Sequence, residues 1–182
     1  MRTIALTLLA LCAGGCQVNP QAVPAHGPAE LDATVMLIHV YDAVDRLMDQ
    51  HAKHQDTDRI LVATAVDVND VRDTSMFGRV VTESVQARLT QREHDVIHAT
   101  IREDHLLVRN EGQFLLSRDV KNLAADYNAR AVLVTTYGVL EDSVIVSLKL
   151  VSTVESSTLA AEDLVLHRTA AVSQMLGRAN RF

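Results

Sequence analysis

The chain has 182 residues, with 17 Lys and Arg against 23 Asp and Glu, for a formal charge of −6 at pH 7. An acidic chain with no basic cluster does not track a phosphate backbone, which disfavours nucleic acid, and it lacks the polybasic patch that holds anionic lipid. With no Trp, three Tyr and three Phe it has few rings on which to stack a glycan or a base.

The first fifteen residues, MRTIALTLLALCAGG, place Arg2 ahead of an apolar run from Ile4 to Ala13. At about ten residues, that run fits the h-region of a secretory signal and is too short to span a bilayer. Ala13-Gly14-Gly15 lead straight into Cys16. Small residues directly before a cysteine resemble the lipobox of bacterial lipoproteins. There the cysteine becomes the first mature residue and carries diacylglycerol on sulfur and an acyl chain, such as palmitate, on its amine. Ala13 stands where a lipobox commonly has Leu. A secretory cut at an A-x-A-like site, such as Ala22 to Ala25, is the alternative. The lipobox reading accounts for the cysteines: Cys12 leaves with the signal, and Cys16 is left with no disulfide partner. The expected organisation is a lipoprotein signal over 1–15, a lipidated Cys16 and tether over 16–30, and a periplasmic domain over 31–182. The tether holds all three prolines and little that is apolar.

From Leu31 the pattern turns helical. Leu31, Val35, Ile38, Tyr41, Val44 and Met48 recur at three- and four-residue steps, predicting an amphipathic helix over about 31–52. Asp42, Asp45, Arg46 and Asp49 fall off that stripe, on the wet side. Residues 59–68, RILVATAVDV, read as a strand covered on both faces. After a polar link, Thr74 or Ser75 caps a second helix, which runs to about Arg92 and whose Gly78 permits close packing at its start. DVIHATI, 95–101, reads as a strand. Residues 102–116 are ambiguous, with Glu111-Gly112 a turn between two short extended pieces. Ser117 caps a third helix over 118–128, with Val120, Leu123, Ala124 and Tyr127 on one side and Asn128 at its end. Residues 130–139, 143–152 and 157–166 are three strands joined by short turns, which forces an antiparallel meander. Residues 168–177 form a last short helix. Helices interleaved with the early strands imply parallel crossovers. The expected fold is therefore a single α/β domain, in two or three layers, with a mixed sheet of about five strands and a C-terminal meander.

Chemistry is harder to find. His51 and His54 could share a helix face, but no acid or cysteine completes a tetrahedral metal set. His94 and His98, on a strand, would lie ~13 Å apart, too far for one ion, and HDVIH lacks a zincin glutamate. Asp67, Asn69, Asp70 and Asp73 follow the first strand, where α/β sheets often carry sites; no basic or nucleophilic partner accompanies them, and a solvated turn explains them. No G-x-S-x-G, Walker or G-x-G-x-x-G motif occurs. No metal, cofactor or catalytic residue is expected.

The residues from Ile60 to Leu166 resemble the FlgO-type domain of flagellar outer-membrane lipoproteins. The likeness is carried by ILVATAVDVND, FGRVVTESVQARL, the run from Glu111 to Asp119, LAADYNARAVLVTTY, SVIVSLKLV and LAAEDLVL. The most specific piece is Glu111, Gly112, Leu116, Ser117, Arg118 and Asp119; Gly78 and Tyr137 belong to the same pattern, as structural positions. Thr135 stands where a glycine is expected before Thr136-Tyr137, and the turn at 155–157 lacks a common glycine. The resemblance implies a non-enzymatic lipoprotein of the outer membrane, on its periplasmic face, linked to flagellar stability and motility. Its layout is also similar to modules of curli-secretion lipoproteins and of lipoproteins that activate peptidoglycan synthases, including penicillin-binding proteins. Gln17, not being Asp, fits outer-membrane sorting. The implied partners are the membrane, through the lipid, and other envelope or flagellar proteins, with homo-oligomers open. Regulation of another envelope machine is the alternative, and a small enzyme or metal binder using His94, His98 and the 67–73 acids is a third.

Overall fold

The computed structural model describes residues 28–52, 59–69, 75–98, 106–108, 114–116, 118–155 and 157–177. The signal, Cys16 and most of the tether lie outside them, as do His54, Asp70, Asp73, Thr74, Glu111, Gly112 and Ser117.

The first helix, α1, spans Pro28–His51. Its buried face is Met36, Val40, Ala43, Val44, Leu47, Met48 and His51. This corrects the expected stripe: Val35 and Ile38 are exposed and Tyr41 is half-buried, while Val44 and Met48 are buried. The helix carries apolar residues on more than one face, so periodicity alone could not choose which would meet the sheet. Asp45 is likewise not on a free wet face; it pairs with the second helix.

The apolar run at 59–68 forms β1, Arg59–Val62, and the short β2, Val66–Asp67. Helix α2 follows over Met76–Gln91, with Ser75 as N-cap accepting from Gly78 N. It ends without glycine: Glu93 takes φ 65°, Glu93 N donates to Thr90 O, and His94 N donates to Leu89 O. Those two bonds make a Schellman closure. Strand β3 is Asp95–His98. The extended pieces of the ambiguous stretch are β4, Leu106–Val108, and β5, Phe114–Leu116, paired antiparallel as a separate two-stranded sheet. Helix α3 covers Arg118–Asp126, and Asn128, at φ 55°, closes it the same way. Val120 and Ala124 are buried as expected, but Tyr127 is exposed, because it lies beyond the last turn of the helix.

The meander is β6, Ala131–Val139, β7, Ser143–Ser152, and β8, Thr158–His167, followed by α4, Ala170–Met175. The turn after β7 closes without a glycine because Ser152 Oγ accepts from Val154 N at 3.3 Å and Glu155 N at 3.2 Å. The main sheet runs β3-β1-β6-β7-β8, with β2 also on β6, so it has six strands with β2 counted. β1 is parallel to both β3 and β6, while β6–β7 and β7–β8 are antiparallel.

Two cores lie on opposite faces. Helices α1, α2 and α4 cover one, against Ile60, Val62, Leu133, Tyr137, Leu148, Leu150 and Leu164 among others. α3 covers the other with Val120 and Ala124 on Leu61, Val132 and Val134. The parallel half is thus three layers deep. That explains why β6 is buried from Ala131 to Tyr137, whereas β8 alternates exposed and buried.

Candidate functional site

The crossovers set the place to look. β1 leads through α2 to β3 on one side, and β3 leads through α3 to β6 on the other. The chain therefore diverges at the carboxyl ends of β1 and β6, the switch point where open α/β sheets commonly bind ligands.

Ser75, Gly78 and Tyr137 meet there. Ser75 Oγ accepts from Gly78 N at 3.1 Å and shares a hydrogen with Tyr137 Oη at 2.8 Å. The Tyr137 ring stands edge-on to Phe77, with centroids 5.1 Å apart. Thr82 Oγ1 donates to Gly78 O at 2.7 Å and accepts from Ala65 N at 2.9 Å, tying the link between β1 and β2 to the first turns of α2. Asp67 Oδ1 accepts from Asn69 N at 2.8 Å, a local Asx turn at the rim. The hydroxyls of Ser75, Thr82 and Tyr137 are each engaged in capping or in joining strand to helix. The sequence singled out Gly78 and Tyr137 separately; the residue it did not connect to them is Ser75, whose hydroxyl joins the two.

The other pattern residues lie elsewhere. Leu116 is the last residue of β5, and Arg118 and Asp119 open α3. The histidines do not assemble. His51 is buried at the end of α1, His94 precedes β3 and His98 ends it. Burial, followed by the charge of Arg92, holds His94 below the ordinary histidine range. Among the described residues no group of three or more His, Cys, Asp or Glu is placed to hold a metal ion, and no described helix is long and apolar enough to cross a membrane.

Two surface features went unread in the sequence. One is a charge clamp between α1 and α2. Arg88 Nε donates to Asp45 Oδ1 at 2.8 Å, Arg92 reaches Asp45 at 3.1 Å and Asp49 at 2.6 Å, and Arg88 lies 5.6 Å over the Tyr41 ring. The hydrogen bond from Arg88 outweighs partial burial and lowers the Asp45 carboxyl below its usual range. The other is a groove of about 140 Å³ at the start of α1, walled by Met36, Leu166 and Val172 and rimmed by Asp32, His39 and His167. A helix, a strand end and α4 make it jointly, so no local motif announces it.

The sequence model of the FlgO family, described as FlgO protein, matches residues 41–171. The chain belongs to the FlgO family. The FlgO match takes in the second half of α1, the whole main sheet and the start of α4, so the domain extends beyond the segment from Ile60 to Leu166 that showed the likeness in sequence. No curated protein matches the chain. Among solved structures, it is similar to the LpoB C-terminal domain from Salmonella enterica at 11% identity and TM-score 0.49, covering 70% of this chain and 95% of that one. It is also similar to a PelC dodecamer chain from Paraburkholderia phytofirmans, at 14% identity and TM-score 0.44 over 66% and 81% of the two chains. Lipoprotein GNA1162 from Neisseria meningitidis matches at 16% identity and TM-score 0.43, over 68% and 85%.

Proposed function

We propose that this chain is a non-enzymatic outer-membrane lipoprotein, anchored through Cys16, whose periplasmic domain is a structural or assembly factor for flagella. The single observation that carries the reading is the FlgO family match over residues 41–171. The signal and the small residues before Cys16 support the anchor. The non-enzymatic part is supported by the switch point, where the hydroxyls of Ser75, Thr82 and Tyr137 are engaged in capping and strand–helix bonds. A factor of this kind works by docking, and its partners are envelope or flagellar proteins.

The test is soft-agar swimming of a deletion strain rescued with the native gene or with Cys16→Ser. Motility lost on deletion, restored by the native gene and not by Cys16→Ser, is the expected result, with the serine form leaving the membrane fraction. Normal swimming of the deletion strain removes the flagellar role and turns the reading to a regulator of another envelope machine, such as a peptidoglycan synthase.

A further inference from the structure

The outer side of β8 is a sheet edge among the described residues. Its backbone polarity follows from two bonds. Arg168 N donates inward to Asp142 O at 2.9 Å, and Ala161 N points outward to Gln50 Oε1 at 3.4 Å. Alternation along an antiparallel strand then turns the N–H and C=O of Asp163, Val165 and His167 toward the edge. The strand, TLAAEDLVLH, carries neither lysine nor proline, the residues that commonly blunt an edge.

We propose that this edge pairs antiparallel with the same edge of a second copy of this chain, about a two-fold axis at Val165. In that register Val165 faces Val165 of the second copy, and Asp163 faces its His167 on both sides of the axis. All three are outward-facing residues, so each opposed pair exchanges both backbone hydrogen bonds. Only there does a carboxylate, which accepts, oppose an imidazole, whose ring N–H donates. An axis at Asp163 sets two carboxylates against each other and brings Val165 onto Ala161, where Gln50 already caps the amide. An axis at His167 runs off the strand.

Apolar exposure flanks the edge on both faces of the sheet. On the open face Val165 is 61% exposed and its cross-strand neighbour Ile145 is 40% exposed. On the helix-covered face Val35 and Ile38 of α1 are 51% and 52% exposed, and Val35 lines the groove together with Leu166 and His167 of β8. Pairing at Val165 covers both sets at once and makes one continuous sheet through the two copies. The inference does not depend on the flagellar reading.

The experiment is light-scattering mass measurement of the full chain in detergent, with the micelle contribution subtracted. The expected protein mass is that of two chains, falling to one for Val165→Lys, with an unchanged circular dichroism spectrum because that side chain is largely in water. Asp163→His removes the carboxylate that accepts from His167, and His167→Asp sets two carboxylates against each other; each should weaken the dimer about five- to tenfold, while the double exchange restores the acceptor–donor pair and returns it close to native affinity. These two exchanges keep the test decisive should Val165→Lys fail to fold. A one-chain mass for the native protein at concentrations on the order of 100 µM overturns the proposal. So does any assembly that persists through Val165→Lys, or a double exchange that fails to restore what the single ones lose.

Discussion

At the scale of single residues, Thr135 shows how a departure from the family pattern is absorbed. It stands where a glycine was expected, and it sits in β6 at 1% exposure. Its neighbours on the same face, Leu133 and Tyr137, belong to the larger core, and its hydroxyl has no hydrogen-bond partner among the described residues. A buried hydroxyl without a partner costs about 1–3 kcal/mol, and replacing it with a methyl of the same shape removes that cost. Thr135→Val should therefore raise stability by about 1 kcal/mol in urea unfolding; a fall would show that the hydroxyl is satisfied in solution. Ser75 is the opposite case, since its oxygen serves the α2 cap and Tyr137 together. Ser152, at the end of β7, uses the same device of a short side chain bonding nearby backbone, accepting from Val154 N and Glu155 N as the chain leaves the strand.

At the scale of elements, α1 is where tertiary packing overrode pattern. Met36, Val40, Ala43 and Leu47 were present in the sequence, but Val35 and Ile38 offered an equally apolar row, and packing against β8 and α2 selected between them. The clamp from Asp45 and Asp49 to Arg88 and Arg92 fixes that choice, because it ties one side of α1 to α2. Arg88→Ala should lower the urea midpoint of unfolding, and Arg88→Lys should recover little of the loss, since an ammonium cannot reproduce the contact of Nε and Nη2 with both Asp45 oxygens. The same clamp carries a pH dependence. The Asp45 carboxyl is lowered in the fold, so the unfolded chain, titrating near about 3.9, takes the proton first as pH drops. The stabilisation from Asp45 is full above that range and is lost as pH falls through it toward the folded pKa. The stability gap between the native protein and Asp45→Asn should therefore be widest near neutral pH and close as unfolding is measured at progressively lower pH. A gap independent of pH would show that the carboxylate is not held by the arginines.

At the scale of the whole molecule, the sheet joins a parallel half, covered on both faces, to an antiparallel half with one open face and one long edge. Opening free energies should follow that gradient. In native-state hydrogen exchange the amides of β6, with neighbours on both sides and a core on each face, should be the slowest, and those of the two-stranded β4–β5 sheet among the fastest. Protection in β4–β5 equal to that in β6 would mean that the small sheet opens only with the main core.

Much of this architecture was legible in the chain. The apolar run at 59–68, the helix cap sought at Thr74 or Ser75 and the short turns of the meander each express a local rule of period, capping or loop length; the cap and the turns produced the expected elements, while the run expected as one strand divides into β1 and β2. The family was legible too, and its match over 41–171 takes in the motifs that carried the likeness. What the sequence could not express is any relation between residues far apart in it. The face of α1 that meets the sheet, the joining of Gly78 and Tyr137 through Ser75, the arginine clamp and the outward-facing edge at Val165 all depend on which elements lie side by side. Local propensity fixes a segment's shape through neighbours a few residues away. Its partners are chosen by burial of apolar surface and satisfaction of polar groups across the fold, and only the tertiary structure decides those.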